Sequence, residues 1–436
     1  MKLTDKLKGL DSYPFHMPGH KRNDAFNIVG SNIDITEIDG FDNLHNPKDI
    51  LKRLEEDIAN LFGYKRSIIS VNGSTCGILS AISAVSSKGD KIIIARNCHK
   101  SVYNACFLNE LDVEYIEPEY DSEFCCFKSV TQESVDKAVK RFPNACAVVI
   151  TSPTYEGFVS EIKCDIPLII DAAHGAHFGL SDYLPKRACG DIVIHSLHKT
   201  LPCLTQAAVV HINNDNLYSN VKKYMDIYET SSPSYVLLSS IDRCVDFLKD
   251  CDRHFDEYKK ILDDFYCFAS KLNGVNILNN DDITRIVLSV DGMSGAELSE
   301  ILRNDYSIEV EGSTLKYVIL ISSVCDTRQG FELLKSAVGN IKPDKSREIS
   351  CKKPPIPEKA LNFHEINASA QADIDNCVGK ICAEYIYAYP PGCPIIAPGE
   401  IIDEHITEYI CDSIKNGVNI LSDSGLLPHK ILTKAE

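Results

Sequence analysis

The sequence predicts an α/β fold built on a mostly parallel sheet, with a smaller α/β domain behind it. Three observations predict it. Short apolar runs recur between residues 67 and 211, helical spacing fills several of the gaps, and chemistry-bearing residues follow the runs instead of preceding them. Runs that are apolar on both faces and alternate with helices mark strands covered on both sides.

Residues 1–48 lack sustained periodicity. Pro14, Pro18, Gly19, Gly30, Gly40 and Pro47 interrupt them, and they read as an extended N-terminal arm. Residues 49–62 place apolar side chains at helical spacing, and Gly63 is a natural stop. A strand at 67–71, a turn at 72–75 and a helix at 77–85 follow. The next strand is 91–95, with a loop through His99 into a helix from Ser101. Further apolar runs occupy 147–151, 167–171, 191–195 and 207–211. From 233 to 272 the pattern is helical, and 275–340 mixes strands with helices. The Lys/Pro-rich stretch 342–358 reads as a linker. The expected division is an arm at 1–48, a large domain at 49–250, a small α/β domain at 251–341, and a linker with a C-terminal subdomain at 342–436.

The formal charge of 45 − 62 = −17 argues against nucleic acid or an anionic membrane surface as partner. Eighteen cysteines are scattered singly, apart from Cys125-Cys126, and no C-x-x-C pair occurs. Reduced, mostly buried thiols in a cytoplasmic protein are expected. Residues 1–10 carry three lysines and no apolar core, so no signal peptide is expected, and no apolar run is long enough for a membrane span.

In open parallel sheets ligands bind beyond the carboxyl ends of strands, and the reactive residues collect there. Gly73-Ser74-Thr75 follows one run and opens a helix, whose first N–H groups favour an anion such as phosphate. By itself the same pattern is an ordinary N-cap. His99 and Thr154-Tyr155 follow two others. Asp171 ends a fourth, where a buried carboxylate needs a partner. Ser196, His198 and Lys199 follow a fifth. A lysine past one strand and an aspartate past another are what pyridoxal 5'-phosphate needs. The lysine forms an imine with the aldehyde, and the carboxylate keeps the pyridine nitrogen protonated so the ring accepts electrons. Asp171, His174, His177, His195 and His198 could instead ligate zinc, but that leaves Lys199 and Gly73-Ser74-Thr75 without a role and lacks the helical H-E-x-x-H spacing. No metal is expected.

The ordered motifs resemble the bacterial ornithine/lysine/arginine decarboxylases, in their short form. These are Met17-Pro18-Gly19-His20-Lys21, Asp42-Asn43-Leu44-His45, Val71-Asn72-Gly73-Ser74-Thr75, Arg96-Asn97-Cys98-His99-Lys100-Ser101 and Pro153-Thr154-Tyr155-Glu156-Gly157. The series continues through Asp171-Ala172-Ala173-His174, His195-Ser196-Leu197-His198-Lys199-Thr200, Pro390-Pro391-Gly392 and Pro398-Gly399-Glu400. The resemblance implies the fold type I architecture of pyridoxal-phosphate enzymes. It implies Lys199 as the imine lysine, Asp171 at the ring nitrogen, and His99 stacked on the ring. Ser74, Thr75, Ser196 and His198 would hold the phosphate, with Ala173 under the ring. A homodimer with interfacial sites is implied, and the arm and the 42–45 loop would lie near the neighbour's site. The expected reaction is α-decarboxylation of arginine, lysine or ornithine. Lys199 or His198 would return the proton to Cα, and Glu400 is a weak candidate for the substrate's distal cation. The alternatives are an aminotransferase on the same fold, with Arg285 or Arg328 clamping a carboxylate, and a non-catalytic protein that kept the fold.

Overall fold

A computed structural model describes residues 2–349, 351–389 and 392–435. Pro390 and Pro391 of the C-terminal motif lie outside the described residues. The architecture is α/β with a mostly parallel central sheet, as the apolar runs predict. The chain forms two compact units: Met1–Val85 with Pro167–Asp256, and Ser86–Ile166 with Glu257–Glu436.

In the first unit, Leu168–Asp171 and Ile192–Ser196 pair in parallel, with Asp171 opposite Ile194. Ala208–Ile212 pairs antiparallel with Ile192–Ser196, and Arg66–Ser70 antiparallel with Ala208–Ile212. Arg66–Ser70, Leu168–Asp171 and Ile192–Ser196 therefore point the same way and end at one edge. The helix Ile50–Phe62 buries Leu51, Leu54, Ile58 and Phe62, the stripe a 3.6-residue period dictates. Gly63 closes it in the left-handed conformation (φ 68°).

The helix Gly73–Val85 starts earlier than its apolar periodicity suggests, because the turn residues 73–75 already adopt its first turn. Gly77 lets this helix sit directly on the sheet. A Cβ there would stand 2.7 Å from Val210 Cγ2 and 3.1 Å from Ile194 Cγ2. The arm is not wholly extended either. Leu3–Lys8 is a helix with Leu3 and Leu7 buried, and Thr4 is tied to Asp242 on the helix Tyr235–Leu248. Two apolar residues one turn apart are too short a signal for periodicity to register.

In the second unit, Lys91–Ala95 lies between Asp112–Ile116 and Val148–Thr151, parallel to both. A separate antiparallel sheet joins Val275–Ile277, Arg285–Val290, Val318–Ile321 and Gly312–Ser313. The C-terminal part has its own core of Ile386, Ile396, Ile406 and Ile410. The expectation of uniformly reduced thiols is corrected: Cys125 and Cys351 form a disulfide, their Cα atoms 6.4 Å apart. Their separation of 226 residues hides the pair from any reading of cysteine spacing. Among the described residues no helix is long and apolar enough to cross a membrane.

Candidate active site

The first unit gathers most of the expected site residues at one sheet edge. Asp171 is the last residue of its strand and is 4% exposed. Its Oδ1 accepts the Ala173 N–H at 3.2 Å, which bends the following loop back over the strand end. Three residues on, His174 Nε2 lies 2.8 Å from Lys199 Nζ. Lys199 sits in the single helical turn Leu197–Thr200, which begins where the neighbouring strand stops at Ser196. The structure thus brings Asp171, Ala173, His174, Ser196, His198 and Lys199 into one neighbourhood.

His198 is anchored by its Nδ1, which donates to the Ala207 carbonyl at 3.0 Å. Burial lowers its pKa, the Ala207 carbonyl raises it, and the adjacent Lys199 lowers it further, for a net decrease. The imidazole is therefore neutral, with Nε2 as its acceptor.

Ser74 and Thr75 lie in the first turn of the Gly73–Val85 helix. Their approach is fixed by Glu229, which accepts Ser70 Oγ–H at 2.7 Å and Val71 N–H at 3.1 Å. Gly73 has φ 78°, and a Cβ there would meet nothing within 4 Å. The helix start therefore faces open space.

These groups fit a phosphate-bearing aldehyde cofactor. Ser196 Oγ is fully buried and has no hydrogen-bond partner among the described residues. An orphaned buried hydroxyl costs free energy until something pairs with it. A helix N-terminus, a buried carboxylate and an amine at the same edge complete the donor set. The sequence offers His174 as a metal ligand in the alternative reading, not as a partner of Lys199. Its position three residues after Asp171, in the same post-strand loop, was the available signal.

His99 lies in the second unit, where it caps the helix Lys100–Leu108. Its Nδ1 accepts from Ser101 N at 3.1 Å and pairs with Ser101 Oγ at 2.8 Å. Its ring rests near Gly392, where a Cβ would come within 3.6 Å of Cδ2 and Nε2.

Glu400, the candidate for the substrate's distal cation, lies buried in the second unit. Its carboxylate is 0% exposed and is held by Arg96 at 3.0 Å and by the Ala397 N–H at 2.7 Å. Both contacts fall on Oε2, and the buried Oε1 has no hydrogen-bond partner among the described residues. Arg285 is fully buried, and Arg328 is the exposed first residue of its helix. Burial lowers the pKa of Arg285, with Asp282 the leading group opposing that.

The family described as Orn/Lys/Arg decarboxylase matches through its major domain at residues 6–263 and its C-terminal domain at 351–416. An arginine decarboxylase of Halalkalibacterium halodurans is 31% identical, covering 93% of this chain and 91% of its own. One of Bacillus anthracis is 30% identical over the same shares. The lysine decarboxylase of Francisella novicida superposes with a TM-score of 0.82 at 18% identity, covering 99% of this chain and 81% of its own. The ureidoglycine-glyoxylate aminotransferase of Bacillus subtilis superposes at 0.53 and 13% identity, covering 66% and 83%. With matched segments running from the arm into the C-terminal part, and with relatives that align over nearly their whole length, this chain belongs to the Orn/Lys/Arg decarboxylase family of amino-acid decarboxylases.

Proposed function

We propose that the protein removes the α-carboxylate of a basic amino acid (arginine, lysine or ornithine) with pyridoxal 5'-phosphate, yielding the amine and CO2. The observation that carries this reading is the cluster in the first unit. An amine at 2.8 Å from His174 Nε2, the buried Asp171 carboxylate and the unpartnered Ser196 hydroxyl share one sheet edge. When bound, the cofactor supplies a conjugated sink for the electrons left by departing CO2.

Lys199 would hold the cofactor through Nζ, and Asp171 would keep its ring nitrogen protonated. Ser74, Thr75, Ser196 and His198 would meet its phosphate. Ala173 would pack under the ring and His99 on it. The buried setting of Asp171 supports its role, because a carboxylate out of water is stabilised by a fixed positive partner.

The proton returned to Cα would come from Lys199. A neutral His198 that already donates Nδ1–H to Ala207 has no second proton to give. His174, in contact with Lys199 Nζ, would orient that amine. An aminotransferase needs an accessible arginine for the substrate carboxylate. Arg285 is fully buried and so does not meet that need, whereas Arg328 is exposed and leaves the choice to the product assay.

A homodimer in the cytoplasm, acting in polyamine synthesis, belongs to the same reading. The arm supports the dimer: Tyr13, Phe15, Phe26 and Val29 stand 73%, 93%, 67% and 100% exposed, an apolar set that water alone leaves costly. The test is product identification. Incubation with arginine, lysine and ornithine in turn should yield one amine with an equal amount of CO2. Formation of a keto acid without CO2 would replace the reading with transamination.

A further inference from the structure

A cavity of about 160 Å³ lies wholly within the second unit. Its walls include Phe127, Tyr155, Tyr317 and Tyr409, so aromatic rings close it on several sides. The Glu156 carboxyl also lines it, accepting the Tyr317 hydroxyl at 2.9 Å. Burial pushes the Glu156 pKa up. Among the described residues no lysine or arginine forms an ion pair with this carboxylate.

Two of the three cations in the same walls are committed elsewhere. Arg96 is paired with Glu400 at 3.0 Å. Lys352 Nζ lies 3.5 Å from Glu408 and 3.8 Å from Asp412. Lys316 also lines a neighbouring cleft, and among the described residues no ion pair joins it to Glu156. A buried carboxylate among aromatic faces is a receptor for positive charge. The rings attract a cation through their quadrupoles, and the carboxylate gains the partner that desolvation makes it need.

We propose that this cavity binds an organic cation, an alkylammonium or alkylguanidinium carried on a few methylenes, with Glu156 as counter-charge and the aromatic rings as walls. The occupant would touch the loop that presents His99. Asn97 and Cys393 both line the cavity, the Cys393 thiol meets the Asn97 carbonyl at 3.0 Å, and the Lys100 N–H donates to the Gly392 carbonyl at 3.2 Å. An amine product could thus act back on the enzyme from a second site. That consequence rests on the proposed function, whereas cation binding itself does not.

The chain contains no tryptophan, so Phe127→Trp places a sole indole in the cavity wall. The holoprotein carrying it is titrated separately with cadaverine and with butylguanidinium. The expected result is a saturable change in indole emission with at least one probe. Glu156→Gln should weaken that binding by about tenfold or more, the loss of roughly 1.4 kcal/mol of charge pairing. Thr314→Asp, which adds a second carboxylate to the wall while retaining the turn's side-chain acceptor, should tighten it. Lys199→Ala should leave it unchanged.

No saturable change with either probe overturns the proposal. So does binding that survives Glu156→Gln undiminished. Should Glu156→Gln fail to fold, Thr314→Asp decides, and failure to tighten overturns the proposal. A protein that passes the titration but forms no amine from any of the three amino acids would sink the proposed function alone.

Discussion

Replacing Glu400 with alanine should destabilise the second unit far more than a surface change would, without touching substrate affinity. Arg96 and Glu400 are 3% and 0% exposed. The guanidinium also donates to the Ile395 carbonyl at 3.0 Å and to Tyr103 at 2.6 Å, and it lies 4.8 Å from the Tyr115 ring centre. Removing the carboxylate leaves a buried cation that cannot shed its proton. Stranding one half of a buried pair costs about 3–5 kcal/mol, most of it the unpaired charge and not the lost contact. Arg96→Met combined with Glu400→Leu removes both charges and should recover most of that loss, because apolar replacement of a buried pair is close to neutral. The assay is urea unfolding followed by circular dichroism, with the KM for the amino acid measured on each variant. A Glu400→Ala loss below about 1 kcal/mol, or a double variant no more stable than the single one, would refute the reasoning. A raised KM in an otherwise stable Glu400→Ala protein would assign Glu400 a contact with the substrate.

Acid should destabilise the first unit through two core histidines. His211 Nδ1 pairs with Ser67 Oγ at 2.8 Å and its Nε2 with His195 Nδ1 at 3.1 Å, and burial lowers both pKa values, His195 to about 3. Both bind protons more readily when unfolded. Stability is therefore full above about pH 6.5 and falls as pH drops toward 3, by up to roughly 1.4 kcal/mol per pH unit for each histidine; His211→Gln should remove one proton's share of that slope in urea titrations at stepped pH. Gly77→Val should cost about 1–3 kcal/mol, since its Cβ would press on Val210 and Ile194. Displacing the same helix start should weaken binding of inorganic phosphate, read by calorimetry, whereas a stable variant with unaltered phosphate affinity would separate the helix from that role. Cys351→Ser frees a loop of 226 residues and should lower unfolding stability by at most about 5 kcal/mol on the chain-entropy account, and a denaturation midpoint equal to that of the parent protein under oxidising conditions would show that the crosslink contributes nothing.

The strands of the large sheet are legible because each is a compact apolar run: 91–95 was read to the residue, and the Leu168–Asp171 and Ile192–Ser196 strands to within one. Asp112–Ile116 has no compact apolar run to announce it, because Asp112 and Glu114 interrupt its apolar residues and only Val113 and Ile116, on opposite faces, are buried. The cluster around Lys199 was legible because parallel strands deliver their carboxyl ends to one edge, so sequence order implies spatial proximity. Nothing local announces the partners of Glu400 and Cys125. Arg96 lies 304 residues before Glu400, and Cys351 lies 226 residues after Cys125. Such pairs are set by how distant segments pack. The ion pair of Glu400 is hidden from the sequence for that reason: burial, which decides what surrounds an acid, is a tertiary property.

The most direct measurement is chemical. The purified protein, saturated with pyridoxal 5'-phosphate and reduced with borohydride, is digested and its peptides are weighed. The account predicts a stable pyridoxyl adduct on the peptide containing Lys199 and its loss in Lys199→Ala. An adduct confined to another lysine, or none at all in a folded protein, would contradict it.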